Sequence, residues 1–162
     1  MSLKHTILEN LQDASKIDFE VLLLSSLLLQ RFRYGSVKDT DVSVDKEFDQ
    51  GPPTKNDIKA VIERLIAFIH TSPPPLLLQQ AITTLGASGD DSVCEVIQPI
   101  LQKYLQQMLE INTVVYASMV ALDDCGAAVF SRNNFGLSEF DLNITDANQF
   151  LKNIETKKNK NE

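Results

Sequence analysis

Tryptophan is missing from this chain, and its 162 residues include only two cysteines and two histidines. That leaves little material for a metal site or a disulfide framework. Aromatic residues make up 7 %. Basic side chains are in the minority, 15 against 22 acids, for a net charge of −7. Nucleic acid and anionic lipid both need Lys and Arg, so neither is an expected partner. Long hydrophobic runs are missing too. The greasiest stretch, residues 19–29, is about half of the roughly 20 residues needed to cross a bilayer, and Gln30 and Arg31 close it. Residues 1–20 carry charges throughout, so no secretory signal is expected. The Asn143-Ile144-Thr145 triplet is then an accidental glycosylation match. A cytoplasmic protein with reduced thiols is the expectation. Phosphate-binding glycine loops, zinc-protease helices and nucleophile elbows are all lacking, so the chain is expected not to be an enzyme and to need no cofactor.

What is present is helical periodicity. Apolar residues are 43 % and charged ones 23 %, an ordinary globular balance at a length that suits one domain. Ile58, Val61, Ile62, Leu65, Ile66 and Ile69 fall on one stripe of a helix. Thr54 and Asp57 form a capping box before it, and Pro52-Pro53 stops whatever precedes. The prolines at 73–75 end that helix, and Pro74 or Pro75 opens the next, through Leu77, Leu78, Ala81, Ile82 and Leu85. Gly86 and Gly89 are expected to end it. Ser92 and Glu95 read as a second capping box, ahead of Val93, Val96, Ile97, Ile100, Leu101 and Tyr104. Pro99 predicts a kink there.

Residues 19–32 and 113–122 lack a polar face, which predicts neighbours on several sides of each. Tyr34-Gly35 and residues 123–126 end them. Residues 3–14 and 146–154 read as an N-terminal and a C-terminal cap helix, the latter capped by Thr145. Residues 36–51 read as a long acidic loop, 132–144 as irregular, and 157–162 as a polar, disordered tail after a single domain over 1–156.

The sequence also repeats. Residues 22–35 lie over 76–89, residues 115–126 over 78–89, and residues 58–62 over 93–97. The period is about 36 residues, with the acidic loop as an insertion of roughly 18. The unit is helix, turn, helix. Its clearest copy holds Ala81, Leu85, Gly86, Gly89, Asp90, Val93 and Ile97: an Ala, a Leu four later, a Gly-Asp turn, then aliphatics. On these residues the chain resembles the HEAT-repeat family of helical solenoids, over about residues 17–130. The resemblance implies an all-α fold, a short stack of about three helical hairpins between two cap helices. It also implies non-catalytic protein binding, as in a small adaptor or a toxin-neutralising bacterial immunity protein. Bilin lyases of phycobiliproteins look similar and form an enzymatic alternative. It would need basic residues for pigment propionates, and only Arg31, Arg33 and Arg64 look available. A structural subunit that forms a homo-oligomer is a third reading.

Charge is the sharpest functional feature. In a hairpin solenoid the turns within successive units project from one edge. The first turn holds Asp39, Asp41, Asp45, Glu47 and Asp49, the second Asp90 and Asp91, the third Asp123 and Asp124. The acid excess of these turns, taken as residues 35–57, 86–92 and 123–126, equals the whole net charge of −7. A binding edge for a basic protein is the functional reading. The plainer one is that turns use Asp for capping and solvation. Two other clusters read as structural. Cys94 lies at a helix start, which lowers a thiol pKa, but Asp90, Asp91 and Glu95 oppose this. Residues 31–34, Arg-Phe-Arg-Tyr, suit snorkelling at a helix end better than stacking on a ligand.

Overall fold

The computed structural model describes residues 1–37, 42–107, 112–131, 136 and 139–160. The described residues are all-α, with eight helices and no strand. Among them no helix is long and apolar enough to cross a membrane. They form two compact units, Met1–Gly89 and Asp90–Glu162.

The first unit holds α1 (Leu3–Asn10), α2 (Phe19–Tyr34), α3 (Val42–Asp49), α4 (Lys55–His70) and α5 (Pro75–Ala87). Asp18 starts α2 by accepting from the Val21 N–H at 2.9 Å. Gly35 ends it in the left-handed region at φ 73°, where its N–H reaches the Arg31 carbonyl. Leu22, Leu28 and Leu29 are fully buried. The expected neighbours on several sides of α2 are present, since residues 25–29 are all buried and α1, α3, α4 and α5 pack on it, while Phe19, Leu23, Phe32 and Tyr34 stay 40–48 % exposed.

α5 lies against α2, and the Thr84 hydroxyl donates to the Leu22 carbonyl at 3.1 Å in a buried contact. Ala81, Ile82 and Leu85 are fully buried beside it. Gly86 does not end the helix, as the sequence suggested; it is a buried helical residue, and α5 runs to Ala87. The left-handed turn falls to Gly89, at φ 63°. A side chain at Gly89 would run into the Arg33 guanidinium.

Of the predicted stripe of α4, Ile58, Val61, Ile62, Leu65 and Ile69 are buried; Ile66 is half-buried, and Phe68 is buried in addition. Its capping box is reciprocal. The Asp57 N–H donates to Thr54 Oγ1, and the Thr54 N–H donates to Asp57 Oδ2 at 2.8 Å. Lys4 from α1 adds an ion pair to the same oxygen at 3.1 Å. Desolvation pushes the Asp57 carboxyl up, but the Thr54 and Lys4 hydrogen bonds outweigh it and hold the group below its usual range. A depressed carboxyl stabilises the fold above its unfolded value, about pH 4, and loses that contribution as pH falls through its folded value. Asp57→Asn should therefore lower stability at neutral pH. Denaturant unfolding should show the difference from wild type shrinking towards zero in acid. A difference that stays constant with pH would mean the carboxylate charge plays no part.

The stretch read as an acidic loop contains α3, and this corrects the sequence reading. Phe48 is its anchor, fully buried, and α3 packs on α1 and α2. Asp39 and Asp41 lie outside the described residues.

The second unit holds α6 (Cys94–Gln106), α7 (Asn112–Asp124) and α8 (Phe140–Lys160). The expected Ser92–Glu95 capping box is replaced by an aspartate turn. Asp90 Oδ1 accepts from the Ser92 N–H at 3.0 Å and the Ser92 hydroxyl at 2.7 Å, closing a short 3-10 turn over Asp91–Val93. A carboxylate two residues before the N–H it serves makes the tighter local ring. α6 continues through Pro99. α7 ends in a Schellman motif, with Gly126 at φ 93° and the Ala127 N–H on the Leu122 carbonyl at 2.9 Å. Ile97, Leu101, Val114, Met119 and Leu122 are fully buried where α6 and α7 meet.

α8 is far longer than the 146–154 expected, and it includes residues 157–160 of the supposed disordered tail. Its first turns are anchored by buried polar groups that period counting ignores. Asp146 accepts from the Ser131 N–H at 2.7 Å, and the buried Asn143 amide donates to the Gly136 carbonyl at 3.2 Å. Lys157, Lys158 and Lys160 suit the negative end of the helix dipole. Thr145 lies inside the helix, not at its cap, and donates to the Asp141 carbonyl. Of the stretch expected to be irregular, residues 132–135, 137 and 138 lie outside the described residues.

Candidate interaction surface

The acidic residues expected along one edge divide into three groups. Asp90 and Asp91 lead into α6, while Asp123 and Asp124 are the last residues of α7. These two helix ends are adjacent. The Cys94 sulfur lies 4.0 Å from the Cys125 carbonyl oxygen. All four aspartates are exposed. The second unit thus brings together two turns that are distant in sequence. Asp90 has a local task as well, capping the 3-10 turn.

The loop acids behave differently. Asp45 lies 2.8 Å from Arg31 Nη1 and also accepts from the Val37 N–H. Asp49 pairs with the other Arg31 nitrogen. Arg31 therefore offsets one of the negative charges that the sequence assigned to this turn. Glu47 is exposed on the same helix. Asp39 and Asp41, as noted, fall outside the described residues.

The aspartates act on the nearest thiol. Burial pushes the Cys94 thiol up, and the charges of Asp91 and then Asp90 push it further in the same direction. A thiol held protonated is a poor nucleophile. Cys125 is buried. His5 and His70 are both exposed. Among the described residues no cluster of three or more His, Cys, Asp or Glu could hold a metal ion.

Arg31, Arg33 and Arg64 are also committed. Arg31 is bound by Asp45 and Asp49, and Arg64 donates to the Leu8 carbonyl. Arg33 lies over the Tyr34 ring, 5.0 Å from its centroid, and against Gly89. The Arg-Phe-Arg-Tyr cluster is thus built into the first unit.

Sequence reasoning missed a groove of about 530 Å³ between α6 and α8. Its walls include Glu95, Gln98, Pro99, Gln102, Leu151 and Ile154. A smaller recess of about 220 Å³ continues past Leu105 and Asn148. The signal was the spacing of Leu151, Ile154 and Lys158, which extends a helix face past the point where α8 was expected to stop. No protein-family model matches the sequence, and neither a curated protein nor a solved structure matches it.

Proposed function

We propose that this chain is a non-catalytic protein-binding module, a short HEAT-like stack, and that a basic protein binds the exposed aspartates at the joined ends of α6 and α7. The observation that carries the reading is the contact between Cys94 and Cys125, which sets Asp90 and Asp91 beside Asp123 and Asp124. Side-by-side packing of α2 and α5 supports a repeat within the first unit, where these two would be equivalent helices. Both a small adaptor and a toxin-neutralising immunity protein fit this description. The bilin lyase reading is weakened, because Arg31, Arg33 and Arg64 already have protein partners. The homo-oligomeric reading draws on the exposed Phe19, Leu23 and Tyr34 of α2, and sedimentation across a concentration series tests it.

Clustered charge of one sign speeds the arrival of an opposite charge by a factor of roughly 10 or more, and salt removes the gain because exposed charges are screened over roughly 8 Å. The partner captured from native lysate at low salt is the probe. Its association rate should fall steeply with salt. It should fall about tenfold for the fourfold variant Asp90→Asn, Asp91→Asn, Asp123→Asn and Asp124→Asn, which keeps the caps and removes the charge. A rate indifferent to both changes would reduce these aspartates to solvated turns.

A further inference from the structure

α3 is a helix that its own sequence does not support. It has eight residues, against roughly 12–15 for a helix that stands alone in water. Two valines, a serine and two aspartates are weak helix formers. Asp49 places a negative charge at the negative end of the helix dipole. Gly51 and Pro52-Pro53 follow, so α3 cannot borrow stability by running into α4.

Two devices hold it down. One is Phe48, fully buried in a helix that packs on α1 and α2. The other is the Arg31 fork, one guanidinium nitrogen on Asp45 and the other on Asp49. Arg31 is itself 18 % exposed and sits in the last turn of α2, where a cation already favours the carbonyl end of that helix. That favourable placement at the end of α2 does not depend on α3. The aspartates have no such alternative within α3.

We infer that α3 is a releasable strap over α1 and α2, latched by Arg31, and that opening the latch melts α3 while the rest of the unit stays folded. Release exposes Phe48 and its seat, and frees Asp45 and Asp49 from Arg31. The strap lies in the first unit and shares no residue with the aspartates at the ends of α6 and α7. It stands or falls separately from the binding reading above.

Hydrogen exchange of the full chain, followed by mass spectrometry, tests it. Three variants serve: Arg31→Gln, Phe48→Ala, and Asp45→Asn with Asp49→Asn. The last removes only partly exposed charges and leaves the buried residues untouched. Each should speed exchange over residues 44–50 at least about tenfold, the scale set by losing hydrogen bonds to a charged group. Exchange in α2, α4 and α5 should match wild type. Unchanged exchange over 44–50 in the double aspartate variant would show that Arg31 is no latch. Equal acceleration in α2 and α4 would show that α3 is an integral part of the core. Either result overturns the strap.

Discussion

Leu85→Ala should destabilise the protein by about 2–5 kcal/mol, measured as a shift in the urea midpoint at constant slope. Leu85 is fully buried in α5, one residue from Thr84, which bonds α2 directly. Truncation removes the transfer energy of the lost carbons and leaves a cavity. Fully buried Ala81 and Ile82 sit on the same helix and are held by its backbone, so the space cannot simply close. Domains of this size carry about 5–15 kcal/mol in total, so this one change removes a large share. A cost below about 0.5 kcal/mol would mean that the side chain is not packed and that the assignment of α5 to the core is wrong.

Leu122→Asp should be worse, and its severity should depend on pH. Leu122 is fully buried in α7, the α6–α7 packing face has no basic residue among its buried side chains, and Lys103 is exposed. An isolated carboxylate there would cost several kcal/mol, so the folded state would hold the group protonated instead. Its folded pKa would lie above the unfolded value of about 4. The penalty for the charge is then absent below about pH 4 and grows as pH rises towards the folded value. Circular dichroism at neutral pH should show lost helix or a sharply lowered midpoint. Relative to wild type, the loss should narrow on acidification. A loss that does not narrow would point to shape, not charge, as its cause.

The elements read correctly from sequence share one property: the determinants lie within a few residues of each other. The α4 stripe, the Thr54–Asp57 box and the terminal glycines Gly35 and Gly126 are all of this kind. Two of the misread ones, α3 and α8, depend on distant groups. α3 is helical because Phe48 and Arg31 hold it, and Arg31 belongs to another helix. α8 begins early because Asn143 and Asp146 bond residues 136 and 131. Ser92 lost its capping role to Asp90, a competition between two good local caps that proximity alone does not settle.

The candidate site divides in the same way. That Asp90, Asp91, Asp123 and Asp124 occupy helix ends follows from residue type, because short polar side chains serve turns. That the two pairs share one end of the second unit depends on how α6 packs on α7, seen in the approach of Cys94 to Cys125. That Asp45 and Asp49 share a pairing with Arg31 depends on an arginine in another helix, and a count of charges treats them as free. Sequence alone determined the helical class, the principal stripes and the surplus of acid in turns, because periodicity and residue chemistry act locally. Tertiary structure decided which acids come together at one pair of helix ends and which lie against Arg31, because Coulomb energy depends on distances in space that chain order does not set.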